Sequence, residues 1–82
     1  MKYDVIIVGG GSAGLTCAIY TARESLKTLV IDKGACGGLA GSTDLIENYP
    51  GFPAGISGPD LMDKFKQQAK RFGTEILEFK EI

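Results

Sequence analysis

The chain has 82 residues, 44% hydrophobic and 23% charged, with net charge −1 and no histidine. That is an ordinary globular mix; it leaves no basic footprint for nucleic acid and no polybasic patch for a membrane, and without histidine a Ser-His-Asp or Cys-His unit is excluded within the chain. A chain this short buries only about 60% of the surface it would expose unfolded, and a doubly wound nucleotide-binding domain usually takes about 100–150 residues, so the length itself points to an incomplete domain.

Tyr3 to Val8 is a β-branched and apolar run that stops at glycine, and it reads as a buried parallel strand. Its apolar core, Val5 to Val8, is far too short to span a bilayer. The start also lacks the basic and apolar regions of a signal peptide, so a reducing, cytoplasmic setting is expected. A helix is predicted from Ser12 to about Glu24, with Leu15, Ala18, Ile19 and Ala22 forming a narrow face suited to lying close on a sheet. Cys17 falls among those small residues and is expected to pack there. Thr28 to Asp32 reads as the second strand.

Lys33 to Ile56 shows no periodicity and carries Pro50 and Pro53. A stretch this long is more often functional than idle. Cys36 lies in it, with nothing nearby to lower its pKa, and reads as an incidental loop residue. A second helix then opens with Ser57 as cap, Pro59 in the first turn and Asp60 placed for a capping box. Leu61, Met62, Phe65, Ala69 and Phe72 share its apolar face, the basic residues form a solvated face, and Gly73 fits its C-terminal stop. Thr74 to Phe79 reads as a third strand. Strands alternating with helices predict an α/β, Rossmann-like fold: a three-stranded parallel sheet in the order 3-2-1. The first strand then has one neighbour and an open edge, from which self-association or a homodimer, completion by the rest of the protein, or partial unfolding is expected.

The twelve glycines cluster in three loops rather than spreading as linker. The first cluster, Gly9-Gly10-Gly11-Ser12-Ala13-Gly14, is a G-x-G-x-x-G between strand and helix. Gly9 permits the tight turn, Gly11 lets a pyrophosphate approach bare backbone, and Gly14 lets the helix pack closely. The unpaired N–H groups of the first helical turn, at Ser12 and Ala13, then face the phosphates. Asp32 stands where an acidic residue accepts hydrogen bonds from a ribose, with Lys33 beside it, and a carboxylate there disfavours a 2′-phosphate. Two cysteines without C-x-x-C spacing give no metal site, and no residue is a credible acid, base or nucleophile.

The stretch Val5 to Arg23 resembles the N-terminus of low-molecular-weight thioredoxin reductases, and the likeness continues through Cys36-Gly-Gly-Leu39, Ile46-Glu-Asn-Tyr-Pro-Gly-Phe-Pro53 and Ile56 to Met62. It covers nearly the whole chain, and the Glu-Asn-Tyr-Pro-Gly-Phe-Pro segment is its most specific part. The resemblance implies that residues 1–82 are the N-terminal portion of an FAD-binding domain. The rest of that domain, and an NADPH-binding domain carrying a redox Cys-x-x-Cys, would lie outside the chain. It implies FAD as cofactor, with Gly37, Gly38, Leu39 and Asn48 near the flavin or ribityl chain. The parent would pass electrons from NADPH to a thioredoxin-like protein, and the 82-residue chain alone would be inactive. One position departs: Leu39 stands where the family usually has Gln, and leucine cannot donate the amide hydrogen bond. A ferredoxin- or flavodoxin-NADP reductase of similar architecture and an inert nucleotide-binding fragment are the alternatives.

Overall fold

A computed structural model describes residues 2–81. The elements run β1 (Val5–Val8), α1 (Ser12–Arg23), β2 (Thr28–Ile31), a short 3₁₀ turn (Ala40–Ser42), α2 (Gly58–Arg71) and β3 (Glu75–Leu77). The sheet order is β1-β2-β3 with both pairs parallel, which is the predicted 3-2-1 arrangement with β1 at an edge.

Register explains where the core sits. Ile7 pairs with Val30, and Val30 with Ile76, so the three side chains form one row across the sheet. Ala18 of α1 and Ala69 of α2 close on the fully buried Val30, with Ile7, Ile19, Cys36 and Ile76 packed around them. Both helices therefore cover the same face. Small residues at their contact points let them lie close to the strands. On the uncovered face of edge strand β1, Ile6 and Val8 are 57% and 70% exposed. Leu15 and Thr28 are also fully buried, and Thr28 Oγ1 shares a 2.8 Å hydrogen bond with Thr21 Oγ1.

The strands are shorter than predicted. Asp4 and Val5 both donate to the Lys27 carbonyl, so regular pairing begins only at Val5. Thr74 N–H caps α2 through Ala69 O and does not enter the ladder. Asp32 N–H does continue it, donating to Leu77 O at 2.9 Å.

The two helices begin differently. Ser57 caps α2 by accepting from Asp60 N–H at 3.2 Å, with Pro59 in the first turn. At α1 the cap is Gly11, no side chain caps it, and the first turn holds no acidic residue. Both helices end alike. Ser25 N–H reaches Ala22 O and Leu26 N–H reaches Thr21 O; Gly73 N–H reaches Lys70 O and Thr74 N–H reaches Ala69 O. These are paired Schellman bonds, with Ser25 (φ 64°) and Gly73 (φ 98°) in the left-handed position.

Residues 33–56 are not without structure. The 3₁₀ turn packs on the start of α2, where a β-carbon at Gly58 would collide with Ala40 O. Ile46 and Ile56 exchange two backbone hydrogen bonds, 2.7 and 2.9 Å, in an isolated antiparallel bridge. Tyr49 then stacks between Phe52 and Phe65 of α2, with ring centroids 6.2 and 5.8 Å away. Such local pairings leave no periodic trace in sequence. No helix among the described residues is long and apolar enough to cross a membrane.

Candidate cofactor-binding site

The C-terminal ends of β1 and β2 open into a cleft of about 450 Å³ lined by Val8, Gly9, Ile31, Asp32 and Lys33, with Lys80 and Glu81 at its side. Open α/β sheets place ligands at this end of the strands. The glycine loop forms one wall. Gly9 turns with φ 102°. At Gly14 a β-carbon would strike the Gly9 carbonyl and come within 3.3 Å of Ile7 Cγ2, so glycine there brings α1 down onto β1. A β-carbon at Gly11 would meet no protein atom within 4 Å. Protein packing does not require glycine at that position, which leaves free space beside the uncapped start of α1. The first-turn N–H groups at Ser12, Ala13 and Gly14 lie beyond reach of any helical acceptor, and the helix dipole places partial positive charge there.

Both carboxylate oxygens of Asp32 are engaged by backbone donors. Its Oδ1 accepts from Gly34 N–H at 2.9 Å and its Oδ2 from Gly10 N–H at 2.7 Å. These donors, with the Lys33 charge, hold the carboxyl below its ordinary range, so it is ionised at neutral pH. Both oxygens keep lone pairs for a hydroxyl.

The loop after β2 folds back onto the glycine loop. Gly37 is buried and its N–H donates to Gly10 O at 2.8 Å. Gly38 (φ 59°) sits where a β-carbon would be 3.4 Å from Gly11 Cα. Of the expected residues, Gly9, Asp32 and Lys33 line the cleft; Gly37 and Gly38 pack on the glycine loop at Gly10 and Gly11, and Ser12 and Ala13 open onto a neighbouring groove. Leu39 and Asn48 are both exposed, Leu39 at 90%.

Two cysteine expectations need correction. Cys17 is exposed, not packed: one residue from Ala18 is about 100° around the helix, off the buried stripe of Leu15, Ala18 and Ala22. It lines an open groove with Ser12, Ala13, Thr16, Tyr49 and Phe65. Cys36 is not incidental. Its Sγ fills the space beside Gly10, and its N–H donates to Glu78 Oε2 at 2.7 Å. Burial, followed by the charges of Glu78 and Asp32, pushes its thiol pKa up, so it stays protonated. Lys66 is likewise not a free member of the basic face, because it pairs with Glu78 Oε1 at 2.8 Å. Sequence reasoning missed Gly10, Glu78 and Lys80. Gly10 carried a signal, being the middle of three consecutive glycines.

The profile of the pyridine nucleotide-disulphide oxidoreductase family matches residues 3–81. Over 73 residues the chain is 52% identical to a thioredoxin reductase of Bacillus subtilis, covering 89% of this chain and 23% of that protein. It is 51% identical over 80 residues to a thioredoxin reductase of Aquifex aeolicus, covering 98% of this chain and 25% of the relative. Among solved structures, a thioredoxin reductase from Gloeobacter violaceus superposes with a TM-score of 0.85 at 50% identity, covering 90% of this chain and 23% of that one. The chain therefore spans about a quarter of the length of these relatives.

Proposed function

The chain belongs to the pyridine nucleotide-disulphide oxidoreductase family, and from that membership we propose that it is the FAD-binding segment of a thioredoxin reductase-like enzyme. The observation that carries the reading is the uncapped start of α1. There the glycine loop leaves open space at Gly11, beside an ionised Asp32, at the C-terminal edge of the sheet. A dianionic pyrophosphate fits this donor set, and an uncompensated helix N-terminus is stabilised by it.

In this reading the N–H groups of Ser12, Ala13 and Gly14 hold the pyrophosphate. Asp32 accepts from the adenosine ribose, with Lys33 at the rim. Gly37 and Gly38 bring backbone close to the flavin side, and Leu39 and Asn48 border that side. FAD, when bound, supplies the redox chemistry, taking electrons from NADPH and passing them to a disulfide. The chain's own residues bind and orient it. None of them serves as acid, base or nucleophile.

The electron acceptor is a thioredoxin-like protein and the setting cytoplasmic; two free thiols, Cys17 and Cys36, are compatible with reducing conditions. The open edge of β1, with Ile6 and Val8 exposed beside it, is where further strands or a second copy pair. Light scattering of the isolated chain reads this directly: a closed monomer stable at low micromolar concentration contradicts it.

The test of the activity is NADPH oxidation coupled to reduction of a thioredoxin disulfide. The protein that carries this chain turns over, and residues 1–82 alone do not. Flavin reduction by NADPH without any disulfide reduction would reject the thioredoxin reductase reading while leaving the FAD site intact.

A further inference from the structure

Gly10 is held from three sides. Its N–H donates to Asp32 Oδ2 at 2.7 Å, its carbonyl accepts from Gly37 N–H at 2.8 Å, and Cys36 Sγ fills the space beside its α-carbon. Asp32 is anchored in turn by Gly34 N–H at 2.9 Å. A trans peptide is planar, so fixing one end of it fixes the other. The Asp32 bond sets the plane of the Gly9–Gly10 peptide. The Gly37 bond sets the plane of the Gly10–Gly11 peptide, and with it the direction of Gly11 N–H. Gly11 is the N-cap of α1, so these two planes decide where the free N–H groups of the helix start begin.

Among the described residues, no other side chain hydrogen-bonds Gly9, Gly10 or Gly11. Gly9 and Gly11 have open space where their β-carbons would be, and α1 has no side-chain cap. Glycine backbone visits many conformations, and an unrestrained Gly9-Gly10-Gly11 run would lose much freedom on meeting a ligand. A charge-assisted bond from an ionised carboxylate is the strongest restraint on this run.

We propose that Asp32 is a positioning residue for the pyrophosphate: acting through Gly10 N–H, it holds the glycine loop in its phosphate-binding shape, apart from any contact with the ribose. This deepens the FAD reading and rests on it. A residue that only touched the ribose would leave phosphate-only ligands indifferent to its removal. A residue that shapes the loop governs both.

The experiment titrates the protein with FAD and, separately, with inorganic pyrophosphate, for wild type and Asp32→Asn. Asparagine keeps the shape but removes the charge and one acceptor oxygen. Both affinities are expected to fall by about tenfold or more. The Gly10 amide proton resonance should move upfield while those of Leu15 and Val30 stay in place. Weaker FAD binding with unchanged pyrophosphate binding overturns the proposal and leaves Asp32 as a ribose contact alone. Should Asp32→Asn fail to fold, the wild type still decides: a through-hydrogen-bond NMR coupling between Gly10 nitrogen and Asp32 Cγ supports the strut, and its absence overturns it. A wild type that binds neither FAD nor pyrophosphate rejects the cofactor reading itself, and this inference with it.

Discussion

The sulfur of Cys36 occupies the space that any side chain at Gly10 would need. With Sγ removed, a β-carbon at position 10 would still meet Cys36 Cβ at 3.2 Å and Asp32 Oδ2 at 3.3 Å, contacts that a small shift relieves. Gly10→Ala is therefore expected to destabilise the fold by about 1–3 kcal/mol and to lower bound flavin. Adding Cys36→Ala should recover most of both losses, a coupling measurable as a double-mutant cycle in thermal unfolding and flavin content. Additive effects of the two changes would show that the thiol is not what excludes a side chain there.

That contact was beyond the reach of sequence reading, because the partners are 26 positions apart and joined by a loop without periodicity. The roles of Gly9 and Gly14 were legible, since strand, turn and helix follow one another locally and dictate the geometry. The helices were legible from their apolar stripes and from Ser57 and Gly73. Cys17 was misread because composition around a residue does not say which side of a helix it takes. The Ile46–Ile56 bridge and the Glu78 contacts with Lys66 and Cys36 depend on tertiary placement, and no local pattern encodes them.

Ser25 holds the left-handed position that ends α1, at φ 64°, where Gly73 serves the same motif for α2. An L-residue there costs about 1–2 kcal/mol relative to its preferred backbone, and glycine avoids most of that. Ser25→Gly should raise unfolding free energy by about 0.5–1 kcal/mol, after allowing for the greater freedom of glycine in the unfolded chain. Gly73→Ala should lower it by about 1 kcal/mol. Urea unfolding measures both, and a Ser25→Gly variant less stable than wild type would count against this cap.

Glu78 is held below its ordinary value of 4.5, first by the Lys66 ammonium and then by Cys36 N–H. Unfolded, it takes up a proton near that value; folded, it resists until a lower pH. Its contribution is complete above about pH 4.5 and is lost as the pH falls through the lower folded value. Lys66 is raised above its ordinary 10.5, so the same pair weakens again as the pH rises past the folded value of the lysine. The pair is partly exposed, and the effect is on the order of 1 kcal/mol or less. Glu78→Gln should flatten the part of the acid limb just below pH 4.5, leaving the lower-pH part that Asp32 contributes. An acid limb identical to wild type would show that the pair does not stabilise the folded chain.

In the proposed function, the glycine loop and the start of α1 hold the pyrophosphate of FAD. Gly11 separates binding from folding, because a side chain there meets no protein atom within 4 Å of its β-carbon, yet would project into the space proposed for phosphate. The decisive measurement is flavin content by visible absorption, alongside far-UV circular dichroism, for wild type and Gly11→Val purified in parallel. In the full-length protein that carries this chain, the expected result is a yellow wild type with stoichiometric FAD and a colourless Gly11→Val of unchanged helical content. A Gly11→Val protein that purifies with stoichiometric FAD would overturn the phosphate-loop assignment.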